Sequence, residues 1–314
     1  MALTGLSENA LQLILFGGKG GVGKTTCAVS TGLHLAREGN RVLVISTDPA
    51  HSLSDSLGQE TGDDITEGMG AIGLSVLEIN AQKVLMQFKE KYEKQIRKIF
   101  DTSTAFDQED IDAVFALPIP GIDEVMGFKQ IIDLIEQAQF EKFIVDTAPT
   151  GHALRLLTMP TLLDEWIKVL AKMRWKYRYM VETFSGRYNS DDGDDFLMEM
   201  KKTVKNIEKL LRDQNKCEFV AVTIPEEMAI SETERLINTL NNYGIKVKQL
   251  IVNNYYESSD CEFCKQRHKE QQKYIQQIKV QFSDLKLTIV PLQPHEVRGL
   301  ECLNHLGEFL CRQN

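Results

Sequence analysis

Gly18-Lys19-Gly20-Gly21-Val22-Gly23-Lys24-Thr25 constrains this chain more than any other stretch. The pattern is GxxxxGK[ST], and each residue type answers a physical need. Glycines let backbone N–H groups curl around an anion without Cβ clashes. A following helix aims the positive end of its dipole at the same anion. Lys24 has the length to reach terminal phosphates, and the Thr25 hydroxyl can ligate Mg²⁺. Context supports the reading, because an apolar run, Leu11–Phe16, precedes the loop and helical periodicity follows it.

Other short apolar runs resemble that first one. They are Arg41–Ser46, Leu74–Ile79, Lys142–Asp146, Phe219–Ile224, Val247–Val252 and Leu287–Val290. Uninterrupted apolar strands are buried on both faces, as in parallel sheets. Helical patterns at Thr25–Glu38 and Glu232–Tyr243 alternate with them. Alternation of this kind predicts a doubly wound α/β fold. Two stretches, about 82–139 and 151–216, lack a strand pattern and are too long for loops, so they predict a helical subdomain. Within the second, Gly186–Asp195 is acidic and glycine-bearing and reads as a mobile loop.

Composition limits the function classes. The formal charge is −9, which argues against general duplex DNA binding and predicts no nucleic-acid partner. No run of apolar residues is long enough to span a bilayer. The amino-terminal residues lack the basic region of a signal peptide, so a cytoplasmic location is expected. Six cysteines, of which only Cys261 and Cys264 are closely spaced, suit a reducing compartment.

Two carboxylates stand at strand ends. Asp48 follows the second apolar run and Asp146 ends the fourth. Ligands of open α/β sheets bind at the carboxyl ends of strands, and phosphoryl transfer uses carboxylates to orient water and hold Mg²⁺. Taken singly, such an Asp is equally a helix cap or turn former. Lys19 has two readings: a solvated loop side chain, or a lysine donated to phosphate across a dimer interface. Cys261-Glu262-Phe263-Cys264 supplies two thiolates where structural zinc wants four ligands. His268 is a local third candidate, a twofold dimer would complete the set, and a redox pair is the remaining alternative.

Gly18–Thr26 resembles the deviant Walker A loop of the SIMIBI class of P-loop NTPases. Asp48-Pro49-Ala50-His51-Ser52-Leu53-Ser54-Asp55 resembles switch I of the ArsA family and its guided-entry (Get/TRC) branch. Asp146-Thr147-Ala148-Pro149-Thr150-Gly151-His152 resembles their switch II, and the Cys261–Cys264 pair resembles the zinc hairpin of the guided-entry branch. The resemblance covers nearly the whole chain. It implies a single P-loop ATPase domain over 1–314 that binds ATP and Mg²⁺. In it Gly18, Lys19, Gly20, Gly21, Val22, Gly23, Lys24, Thr25 and Thr26 cradle the nucleotide. Asp48 orients the attacking water, Lys19 acts in catalysis, and Thr25 and Asp146 serve Mg²⁺. Pro149 and Gly151 flank a hinge. Glu226, Asn253 and Pro291 match nucleotide-contact positions, with 291–299 as an adenine-pocket loop. Zn²⁺ bound by Cys261 and Cys264 would be structural, at the interface of a homodimer.

The same resemblance implies a client and a receptor. Guided-entry ATPases carry transmembrane segments of tail-anchored proteins to a membrane. Asp164–Val181 has Trp166, Val169, Leu170, Met173, Tyr177, Met180 and Val181 at helical spacing, with Lys168, Lys172, Arg174, Lys176 and Arg178 between them. Such a stripe serves either as core or as one wall of a groove for a hydrophobic helix. An arsenite-pump subunit and an ATP-switched holdase are the rival readings. Arsenite pumps carry two P-loops and a cysteine site in the helical region. This chain has one P-loop and no Cys in residues 82–216.

Overall fold

A computed structural model describes residues 3–48, 52–68, 73–103, 122–147, 192–258 and 261–311, with individual helical residues between 167 and 183. Pro149, Gly151 and the stripe residues Trp166, Val169, Met173, Tyr177, Met180 and Val181 lie outside the described residues.

In chain order the elements are β1 (Leu13–Gly17), α1 (Lys24–Arg37), β2 (Val42–Ser46), α2 (Ser52–Leu57), β3 (Thr66–Glu67) and β4 (Leu74–Glu78). There follow α3 (Ala81–Ser103), α4 (Ile122–Glu136), β5 (Lys142–Asp146), α5 (Asp192–Arg212), β6 (Cys217–Thr223) and α6 (Glu227–Asn242). The chain closes with β7 (Val247–Tyr255), α7 (Glu262–Gln281), β8 (Lys286–Pro291) and α8 (Gly299–Cys311).

The sheet has eight strands in the order β3-β4-β2-β5-β1-β6-β7-β8. All its pairs are parallel except β3–β4. Every residue of β1, β2, β4, β5 and β6 is buried, which is why these runs are apolar without alternation. Leu33 of α1 and Leu303, Leu306 and Leu310 of α8 join Ile14, Val44, Ile144 and Val220 in one apolar cluster against the sheet. Each such side chain contributes about 1.5–3 kcal/mol when fully buried.

Chain contacts define two compact units, Met1–Asn80 with Asp133–Leu154 and Leu210–Asn314, and Ala81–Ile132 with Arg155–Lys209. The second unit is helical in its described residues. Val84, Phe88, Tyr92, Ile96 and Ile99 form the buried stripe of α3. Phe88 and Tyr92 meet Phe196 of α5 at ring-centroid distances of 6.4 and 5.0 Å. The Tyr92 hydroxyl donates to Glu199 Oε1 at 2.6 Å.

Several expectations need correction. Asp192–Asp195 is not loop but the first turn of α5, where three carboxylates favour the helix dipole. Arg174, from the charged positions of the stripe, is 3% exposed with its Nε 3.4 Å from Asp194 Oδ1. Helix α6 begins at Glu227 rather than Glu232, because Ala229 and Ile230 extend its buried face. The edge strand β3 and helix α7 had no sequence counterpart. Only Gln271, Ile275 and Ile278 are buried in α7, too sparse an apolar pattern to show periodicity.

Candidate functional site

Strand β1 lies between β5 and β6, and its register sets Phe16 opposite Asp146. The Thr147 N–H and hydroxyl both donate to the Phe16 carbonyl, at 3.1 and 2.8 Å. The glycine loop and the end of β5 therefore leave the sheet side by side. Gly18 runs so close to β6 that a Cβ there would lie 2.1 Å from the Val222 carbonyl oxygen. Gly23, with φ +92°, turns the chain into α1. A Cβ at Gly23 would lie 2.4 Å from Asn253 Nδ2.

Lys24 is buried, and its Nζ donates to the Lys19 carbonyl at 3.3 Å. Burial pushes its pKa below the ordinary lysine value, while Asp146 and then Asp48 oppose that shift. Both carboxylates thus act on the ammonium that the sequence motif singles out. The Thr25 hydroxyl donates to Asp146 Oδ2 at 2.5 Å, and Asp146 is fully buried. A hydroxyl and a buried carboxylate so joined are hard oxygen donors of the kind Mg²⁺ accepts. Asp48 is half-buried just past β2, where its N–H donates to the Ser46 hydroxyl at 3.1 Å.

A cavity of about 540 Å³ opens beside the loop. Gly21, Gly23, Thr26 and Asn253 line one side, and the 292–298 segment lines another. That volume is ample for a nucleotide-sized ligand. Asn253 donates to the Val22 carbonyl at 3.0 Å, so it braces the loop as well as facing the cavity. Pro291 ends β8, and its carbonyl accepts from Gln293 Nε2 at 2.9 Å, fixing the turn into that segment. Glu226 sits exposed at the start of α6 and is not among the residues lining the cavity. Asp55 and Asn254 also line it. Asp55 closes the stretch that resembles switch I but had no individual role, and for Asn254 adjacency to Asn253 was the available signal.

Cys261 is the exposed residue preceding α7, and Cys264 lies half-buried in its first turn. The Cys264 backbone N–H, more than its thiol, holds the Cys261 pKa below the ordinary thiol value. His268, the local third candidate, engages both ring nitrogens within the protein. Its Nδ1 lies 2.7 Å from the Tyr256 carbonyl and its Nε2 3.2 Å from Gln272. Among the described residues no three His, Cys, Asp or Glu side chains form a metal-binding group. One chain brings two closely spaced thiols to this position.

In the helical unit, Trp175 and Tyr179 are exposed and stacked at 6.1 Å between ring centroids. With Arg174, Arg178, Asp194, Leu197 and Met198, Trp175 lines a cavity of about 440 Å³. Leu170, from the expected stripe, is buried as core. No helix among the described residues is long and apolar enough to cross a membrane.

Comparison with known proteins gives a consistent picture. A family model described as anion-transporting ATPase matches residues 11–312. The chain is 34% identical to ATPase ASNA1 homolog 1 of Paramecium tetraurelia, over 98% of this chain and 94% of that protein. It is 34% identical to ATPase get3 of Pyrenophora tritici-repentis, over 98% of this chain and 93% of that protein. ATPase get3 of Aspergillus niger is also 34% identical, over 97% of this chain and 92% of its own length.

Proposed function

The chain belongs to the ArsA ATPase family and is an ATPase; on that premise we propose a cytoplasmic, homodimeric, Mg²⁺-dependent carrier of the guided-entry type. Its clients are the hydrophobic transmembrane segments of tail-anchored proteins, handed to a receptor at a membrane. We read the chain as one ATPase domain bearing a helical subdomain. The observation that carries the catalytic part is the joining of Thr25 to buried Asp146 beside the glycine loop. The client part rests on the exposed Trp175–Tyr179 stack and on Met198, which lines a cavity together with Trp175. Aromatic and thioether side chains left in water on a helical unit suit an apolar helix.

In this reading the N–H groups of 18–25 receive the phosphates, and Lys24 exchanges the Lys19 carbonyl for phosphate oxygen. Thr25 and Asp146 hold Mg²⁺, which neutralises charge on the phosphates when bound. Asp48 orients water against the γ-phosphorus. The water oxygen bonds to that phosphorus as its bond to the bridging oxygen breaks; ADP leaves with that oxygen, and the water's proton departs with the inorganic phosphate. Lys19 reaches the phosphates of the second copy. Asn253 and the 292–298 segment face the base, Pro291 sets the turn into that segment, and Glu226 is assigned to the nucleotide by family resemblance alone. Cys261 and Cys264, with the same pair from a second copy, make a four-thiolate zinc site on the twofold axis.

The test is capture of a tail-anchored segment by purified protein with and without ATP. Replacing Trp175 and Tyr179 by Ser should reduce capture severalfold with helix content retained. If arsenite raises turnover severalfold and no segment is captured, the pump reading replaces this one. If capture proceeds with no turnover in the absence of partners, the protein is a nucleotide-switched holdase.

A further inference from the structure

The register between β7 and β8 slips between Val252 and Tyr255. Asn253 and Asn254 occupy the slip. Asn254 takes φ +56°, a left-handed conformation that few side chains tolerate, though Asn does so better than most. The slip lets both residues line the 540 Å³ cavity while Asn253 also holds Val22. Something must keep the kinked backbone in place.

Helix α7 does this with one side chain. Gln271 is buried, and its amide grips the backbone on both sides of Tyr255. Its Nε2 donates to the Asn254 carbonyl at 3.2 Å, and its Oε1 accepts from the Tyr256 N–H at 2.8 Å. The Tyr255 carbonyl between them accepts from the Leu292 N–H at 2.8 Å, which ties the opposite cavity wall to the same corner. His268 and Gln272, on the same helix, add contacts to Tyr256 and to the Tyr255 hydroxyl. Gln271 is not among the residues lining the cavity.

We infer that Gln271 is a positioning residue for nucleotide binding, holding Asn253 and Asn254 at the base-facing wall of the cavity. The inference rests on the nucleotide reading of that cavity. Gln271 acts on affinity and base choice, whereas the hydrolytic groups Thr25, Asp48 and Asp146 belong to α1 and to the ends of β2 and β5. Losing both bonds shifts the equilibrium that orders this wall by at least about tenfold.

Two variants separate the contributions. Gln271→Met keeps the shape and removes both bonds. Gln271→Glu keeps the acceptor for Tyr256 and removes the donor to Asn254. Steady-state kinetics with Mg·ATP and Mg·GTP, and thermal unfolding, are measured on the full chain. The expected result for Gln271→Met is a KM for ATP raised about tenfold with kcat changed about twofold or less. The preference for ATP over GTP should narrow, and Gln271→Glu, which sets a carboxylate oxygen against the Asn254 carbonyl, should raise KM at least as much as Met. An unchanged KM and base preference in a folded Gln271→Met protein overturns the inference, as does a change confined to kcat. Failure of both variants to fold also overturns it, making Gln271 a fold determinant. Lys24→Ala separates this from the underlying reading. If Lys24→Ala binds ATP normally, the cavity is not the nucleotide site; if it does not bind, a null result at Gln271 counts against Gln271 alone.

Discussion

Gly23→Ala probes the loop where its geometry is tightest. The residue has φ +92° and ψ +29°, and the methyl would lie 2.4 Å from Asn253 Nδ2. Two penalties follow. Holding an L-residue in the left-handed region costs about 1–2 kcal/mol. Expelling the Asn253 amide breaks its bond to the Val22 carbonyl, costing about 1 kcal/mol. Together they predict a loss of about 2–3 kcal/mol in folding stability. Asn253→Ala alone should cost about 1 kcal/mol, because it removes the bond and leaves Gly23 unstrained. The double variant should be no worse than Gly23→Ala, since the bond is already lost there. The cycle therefore predicts a coupling of about 1 kcal/mol between the two sites. Denaturant unfolding of all four proteins measures it, with ATP titration in parallel. Strict additivity would show that the methyl and the Asn253 amide do not compete for one space.

Asp48→Asn should bind ATP near wild-type affinity and hydrolyse it slowly; wild-type turnover would remove Asp48 from the water-orienting role. Lys19 should act in trans. A heterodimer of Lys19→Ala and Lys24→Ala chains then contains one complete site, and activity no higher than either mutant homodimer would refute it. Replacing Cys261 and Cys264 by Ser should remove one zinc per two chains and weaken the dimer, read by elemental analysis with sedimentation. One zinc per chain retained on dilution to monomers would point to a local site. Glu218 is buried with its Oε1 accepting from Gln249 Nε2, and burial raises its carboxyl above the ordinary 4.5. The folded state then keeps a proton the unfolded chain has released, so this contribution to stability falls as pH rises from 4.5 through the raised value. Glu218→Gln should flatten that slope in denaturant midpoints between about pH 4 and 7; parallel slopes would refute it.

The phosphate loop was legible because its chemistry is local. Gly18 to Thr25 are consecutive, and consecutive glycines, a lysine and a helix start specify a backbone nest without any distant partner. The parallel strands were legible for a similar reason, since burial on both faces leaves an uninterrupted apolar run in each segment. Asp146 stood at a strand end, but its bond to Thr25 spans 121 residues and exists only because β5 pairs with β1 in that register. Arg174 stood among the charged residues between the apolar positions, and the fold buries it with Asp194 beside it. Asn253 read as a base contact, while the fold also makes it a brace for Val22. Gln271 gave no signal at all. A lone glutamine in a polar helix carries no pattern, and its role depends on a kinked strand end that α7 meets only in three dimensions. Local chemistry is written along the chain, whereas a buried amide's partners are chosen by packing, and packing is a property of elements far apart in sequence.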